Sequence, residues 1–133
     1  MQSHHDRLSF STLIGANFEA AILTGANLRQ AEASGSDFSG SQMIKVNAYG
    51  ATMAGSNLSG TNLDNSILTK ADLTAADLSG ANLKNVELIN ANFTAADLTG
   101  ADLRGAKIAG SNFTRAKIDG IVLDEDIKLS IKR

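Results

Sequence analysis

The chain has 133 residues and contains no cysteine, no proline and no tryptophan. Without cysteine there is no disulfide framework and no thiolate chemistry. Without proline no backbone amide is lost, which suits a fold in which nearly every N–H joins a ladder. Aromatic residues make up 5% of the chain, and much of its 43% apolar content is alanine, which is little bulk for a thick globular core. The two histidines, His4 and His5, are adjacent near the N-terminus, and a metal site would need further ligands beside them. No apolar run reaches the roughly 18 residues of a membrane span, and no charged region followed by an apolar stretch opens the chain. The expectation is a cytoplasmic protein with no membrane partner. A formal net charge of −2 argues for neither a nucleic-acid binder nor a strongly acidic tail, and no direct nucleic-acid partner is expected.

What the chain has is a period of five. From Leu68 to Leu103 every fifth residue is large and apolar: Leu68, Leu73, Leu78, Leu83, Leu88, Phe93, Leu98 and Leu103. Two places before these stand Ser66, Ala71, Ala76, Ala81, Val86, Ala91, Ala96 and Ala101, and one place before stands mostly Asp or Asn. In an α-helix, residues five apart are rotated by about 140° and form no stripe. In a flat strand a step of five changes face every time. The pattern therefore needs a coil that turns a corner once per repeat, which is a solenoid. The phase runs unbroken from Leu8 to Leu123, giving 24 repeats, and all 12 glycines fall two places after a central residue.

A stretch such as ADLTAADLSGANL resembles the pentapeptide repeat family, whose motif is A-(D/N)-L-x-x. The resemblance implies an all-β fold, a right-handed quadrilateral β-helix with four repeats per coil, hence about six coils. Residues 1–5 would be an N-terminal extension, 6–125 the repeat domain and 126–133 a C-terminal capping or dimerisation segment. The central residue and the small residue two before it would point inward and the other three outward. Such proteins are rigid rods without cofactors, and some resemble a DNA duplex, bind DNA gyrase and protect it from quinolones.

Several local expectations follow. A type II turn needs a positive φ at its third residue, which glycine supplies freely and Asn65, Asn85 and Asn90 tolerate. Ala20, Ala75, Ala95, Lys70 and Arg115 suit that conformation badly, so another turn type is expected at those corners. Phe10, at the same position, is expected to fold over the open N-terminal end. Residues 31–55 carry the smallest or softest centres, Ala33, Met43, Ala48 and Met53, with Val46 compensating for Ala48. In the last segment Ile127, Leu129 and Ile131 alternate with polar residues, which reads as a short strand that closes the coil or pairs with a second copy to form a homodimer.

Stacking the repeats in fours sorts the outward charges. One face carries Arg7, Arg29, Lys70 and Lys107 against Glu87, about +3. The opposite face carries Glu19, Asp37, Asp77, Asp97 and Asp119 against Lys117, about −4. Outward positions of the basic face also hold Tyr49, Ile67 and Ile89, an apolar patch ringed by Arg29, Lys70 and Lys107 and a candidate surface for an as yet unidentified protein partner. The acidic face is the candidate DNA-like surface, although −2 overall and about 29 Å of rod are modest for that task. Enzyme chemistry lacks its parts: the histidines lie outside the repeats, no phosphate-binding glycine loop occurs, and stacked carboxylates such as Asp77 and Asp97 would lie on a flat wall. The reading is a non-catalytic interaction or scaffold rod, with a gyrase-binding DNA mimic as the alternative.

Overall fold

The computed structural model describes residues 8–128 and 131. His4, His5, Arg7 and the 1–5 extension lie outside these residues, as do positions 129, 130, 132 and 133.

Each repeat makes one corner, and its backbone bonds explain why. In the repeat centred on Leu78, the Leu78 amide donates to Asp97 O at 2.7 Å and the Gly80 amide to Thr99 O at 2.8 Å, both in the following coil. The Asn82 amide donates to Thr61 O in the preceding coil at 2.9 Å, and the Ala81 amide closes the turn on Leu78 O at 3.0 Å. The remaining amide, Ser79, donates to the side-chain Oδ1 of Asp77 at 2.9 Å. All five N–H groups are paired, three between coils and two within the corner, which a chain containing proline could not repeat indefinitely.

Between coils, parallel bridges join each residue of the ladder to the one 20 positions on, from Thr12↔Glu32 to Asp102↔Val122. Twenty residues are four repeats, so every coil has four corners and equivalent positions stack in columns. Inside, the central residues form a single layer per coil; Leu58, Leu63, Leu73, Leu78 and Leu83 are wholly buried. Phe18 stacks on Phe38 and Phe93 on Phe113, each pair with ring centroids 5.1 Å apart, so the interior repeats the coil spacing. The small residues let the walls approach. Where one is serine its hydroxyl needs a partner: Ser66 Oγ donates to Met43 O and accepts from Val46 N, whereas the buried hydroxyls of Ser41 and Ser56 have none among the described residues.

Three expectations are corrected. All corners share one geometry: Ala20, Lys70, Ala75, Ala95 and Arg115 have φ between 56° and 61°, close to the 64° to 76° of the glycines, so no alternative turn appears. The inter-coil ladder imposes it, because the Ala20 amide must reach Ser39 O (2.9 Å) and the Ala75 amide Thr94 O (2.8 Å). Phe10 does not fold over the end; it occupies such a corner with φ 59°, bonded through its amide to Arg29 O, and its side chain is 71% exposed. The C-terminal segment begins as a helical turn, α1 (Glu125–Lys128), rather than a strand. Asp124 explains this: its carboxylate takes the Gly105 amide at 2.7 Å, its carbonyl accepts from Ile127 N, and Ile127 is thereby buried against the core. Ile131 also packs on the core cluster. Through residues 31–55 the ladder continues without a break, with Ala33, Met43, Val46, Ala48 and Met53 fully buried.

Candidate contact faces

Arg29, Tyr49, Thr69 and Ile89 occupy one outward column, one coil apart, since each is 20 residues from the next. Lys70 lies beside this column at its corner, and Asn47, Ile67, Glu87 and Lys107 bridge successively along the flanking column. Three of the five candidate residues come together. The Arg29 guanidinium carbon lies 5.2 Å, and Lys70 Nζ 5.8 Å, from the centroid of the Tyr49 ring. Each such cation–π contact is worth about 0.5–1 kcal/mol at an exposed site and fixes the ring against the wall. The expected apolar patch is divided: Thr69 separates Tyr49 from Ile89, and Ile67 stands in the next column. All three apolar side chains are half-buried, whereas Arg29 and Lys70 are exposed.

Sequence reasoning passed over two of the most exposed apolar side chains, Ile22 (82%) and Ile14 (62%), which with Phe10 lie on different faces of the first described coil. The signal was present, since Ile14 and Ile22 fill outward positions of the repeat.

The residue before each centre has a structural task. In 13 corners an Asn or Asp Oδ1 accepts the amide two residues on, as Asn27 does from Arg29 (3.0 Å) and Asn47 from Tyr49 (3.1 Å). On the basic face this series stops at Ile67, and Glu87 and Lys107 do not resume it. The amides of Thr69, Ile89 and Ala109 accordingly have no acceptor among the described residues.

The acidic face is built on the same device. Its ladder column reads Asn17, Asp37, Asn57, Asp77, Asp97, Lys117, so only Asp77 and Asp97 are adjacent carboxylates. Asp37 Oδ1 accepts from both the amide and the hydroxyl of Ser39, and Asp77 Oδ1 likewise from Ser79. The Ser39 hydroxyl and amide hold the Asp37 carboxyl below the usual carboxylate range, and those of Thr99 do the same for Asp97. Glu19 and Asp119 sit in the neighbouring outward column at opposite ends of it. Among the described residues the one salt bridge is Arg104–Asp102 (2.6 Å), on a third face; the hydrogen-bonded guanidinium lowers the Asp102 pKa. No group of three or more potential metal ligands occurs among the described residues, and none of their helices is long and apolar enough to cross a membrane.

Comparison with known proteins agrees with this architecture. A family model for pentapeptide repeats matches eight copies, over residues 7–40, 49–85 and 87–124. No curated protein sequence matches. Among solved structures, the pentapeptide repeat protein Rfr23 from the cyanobacterium Cyanothece 51142 is 32% identical, with a TM-score of 0.51 over 75% of this chain and 61% of that one. The chain thus spans 61% of the length of that relative. A pentapeptide repeat protein of the Arabidopsis thaliana thylakoid lumen is 26% identical, with a TM-score of 0.61 over 95% of this chain and 74% of that one. QnrB1, a plasmid-mediated fluoroquinolone resistance protein, shares the fold at 21% identity and a TM-score of 0.57, over 89% of this chain and 72% of that one. Members of this family fold as right-handed quadrilateral β-helices and are generally structural rather than catalytic. The matched copies cover most of the residues in which the 20-residue register is seen, and by that match the chain belongs to the pentapeptide repeat family.

Proposed function

We propose that the chain is a non-catalytic protein-interaction rod of about six coils whose contact surface is the face bearing Arg29, Tyr49, Ile67, Lys70 and Ile89. The observation that carries this reading is the placement of Tyr49, the single tyrosine of the chain, between Arg29 and Lys70. Its ring is held in place in the unbound protein, so little side-chain entropy is lost on contact, and tyrosine flanked by arginine is the composition of interface anchors. Neither the ladder nor the core requires it, since Ser59, Thr69, Thr74 and Ser79 serve at equivalent outward positions.

The alternative, a DNA mimic acting on gyrase, rests on the acidic face and on the fold shared with QnrB1. Against it stands the use of the Asp37 and Asp77 Oδ1 atoms within their own corners, a task that Asn17 and Asn57 perform equally well in the same column. Affinity capture with the wild-type chain and with Tyr49→Ser/Ile89→Ser tests the first reading; a partner retained by both variants alike would sink it. A gyrase supercoiling assay with and without a quinolone tests the alternative, which gains first place if the chain inhibits or protects and Asp37→Lys/Asp77→Lys/Asp97→Lys abolishes the effect.

A further inference from the structure

We propose that the basic face binds an extended acidic segment of a partner protein, with carboxylates three residues apart seated at Arg29 and Lys70 and an apolar residue between them against Tyr49. This rests on the reading of that face as a contact surface and adds the chemistry of what it contacts.

Charge is the first argument. Arg29, Lys70 and Lys107 form no ion pair among the described residues, and Glu87 is the one opposing charge on the face. The two cations nearest Tyr49 attract a carboxylate from either side of the ring.

The backbone is the second. In 13 corners the outward amide ends on an Asx oxygen, and that pattern shows the direction in which it points. The amides of Thr69, Ile89 and Ala109 point the same way with no such oxygen among the described residues, in three successive coils of this face; those of Ile14, Ser34 and Ala54 do so on another face, where the corners beside them are glycines and carry no cation. A carboxylate or carbonyl oxygen from a guest segment completes them, and amides beside lysines are donors for an anion.

Spacing is the third. Arg29 and the Thr69–Lys70 corner are two coils apart, about 9.6 Å at the usual distance between β-ladders. In a polyproline II segment three residues advance about 9.3 Å and return the side chain to the same face, which a β-strand does not do. Acidic side chains three apart therefore meet both cations while the chain runs along the rod. A nucleic-acid strand fits less well: the opposite wall is acidic, the chain is −2 overall, and a lone tyrosine offers no series of stacking platforms.

The test uses a fluorescein-labelled peptide of three Gly-Glu-Leu units, its glutamine counterpart, and a single-stranded deoxynucleotide 12-mer, each titrated with the full chain by fluorescence anisotropy. The expected result is binding of the glutamate peptide in the micromolar range, weakened about tenfold or more by Arg29→Gln/Lys70→Gln and by raised salt. Tyr49→Ser should weaken it as well, and a thermal melt of each variant shows that the rod is intact. Equal binding of the glutamine peptide, full binding by the Arg29→Gln/Lys70→Gln variant, or no binding at millimolar protein would overturn the proposal, as would preference for the 12-mer. If the peptide fails while Tyr49→Ser/Ile89→Ser still abolishes capture of a partner, the acidic-segment inference falls and the contact face stands. If both fail, the face itself is wrong.

Discussion

The shared geometry of all corners makes a prediction whose sign differs from ordinary helix and strand intuition: replacing Ala20, Ala75 and Ala95 by glycine should stabilise the protein. Their φ angles are 56°, 58° and 60°. Holding a residue with a Cβ in the left-handed region costs roughly 1–2 kcal/mol. Glycine returns part of this, because its unfolded chain is freer by roughly 0.5–1 kcal/mol. The net gain is about 0.5–1 kcal/mol per corner, or about 1.5–3 kcal/mol for the triple variant if the gains add, Ala75 and Ala95 being stacked on successive coils and so the pair open to coupling. At about 4 °C per kcal/mol for a domain of this size, the melting temperature should rise by roughly 6–12 °C. The reverse substitution isolates the backbone contribution. At Gly60, φ is +64° and an added Cβ meets nothing within 4 Å, so Gly60→Ala introduces conformational strain without a clash. It should lower stability by about the amount that one alanine-to-glycine change gains. Gly105→Ala is the contrasting case, because its Cβ would run into Asn85 Oδ1 as well. Thermal melts followed by circular dichroism measure all of these. A triple glycine variant that melts at or below the wild type, together with an unchanged melt for Gly60→Ala, would refute the assignment of one left-handed geometry to every corner.

Other consequences follow from the interior and the Asx corners. Ser56→Ala removes a buried hydroxyl that has no partner among the described residues and should stabilise by about 1 kcal/mol, whereas Ser66→Ala breaks two hydrogen bonds and should destabilise by a similar amount; urea titration gives both signs. Phe93→Ala should cost about 3–5 kcal/mol by opening a cavity beside Phe113, and a loss under about 1 kcal/mol would contradict the packed Phe stack. Asp37, Asp97 and Asp102 have carboxyl pKa values below the ordinary range in the folded chain, so their contribution is present above the unfolded value of about 4 and is lost as pH falls through the folded values. Melting temperature should fall below about pH 4, and Asp37→Asn/Asp97→Asn should flatten that fall while keeping both caps; an unaltered acid profile would be the contrary result.

Much of the fold could be read because the repeat signal is redundant. The five-residue phase from Leu8 to Leu123 specified the inward positions, and Leu58, Leu78 and Phe93 are all buried where that phase put them. The corners at Ala20, Ala75 and Arg115 were misread for a definite reason. Single-residue preference disfavours a positive φ there, but the inter-coil hydrogen bonds of the ladder outweigh a penalty of about 1–2 kcal/mol. The C-terminal turn was misread because alternation at Ile127 and Ile131 carries no record of Asp124 bonding to Gly105, a contact across 19 residues. On the candidate face, sequence periodicity placed Arg29, Tyr49 and Lys70 together, yet the order within a column put Thr69 between Tyr49 and Ile89. Column order is legible only once the 20-residue register is taken literally, residue by residue.

The division of labour within one repeat bears on where function can reside. Two of five positions are committed to the interior and a third to the left-handed corner. The position before the centre is outward, but Asn and Asp there are conscripted by the amide two residues on, so a column of carboxylates such as Asp77 and Asp97 can arise with no partner selecting it. Asparagine would serve equally, and the charge is incidental to the cap. The informative positions are those where an outward residue departs from its structural task. Ile67, Glu87 and Lys107 forgo the Asx cap in succession, on the face where Tyr49 is clamped by Arg29 and Lys70. Each omission leaves an amide without an acceptor among the described residues, whereas 13 corners keep the Asx cap. The cap is also missing in succession at Thr12, Glu32 and Thr52, so its omission alone marks no surface; what sets this face apart is the Tyr49 ring held between two cations beside the uncapped amides. Restoring one cap by Ile67→Asn, which leaves every charge on the face in place, should therefore raise the melting temperature and weaken binding to the basic face at once. A variant that gains stability with binding intact would show that the omissions are neutral drift in the wall.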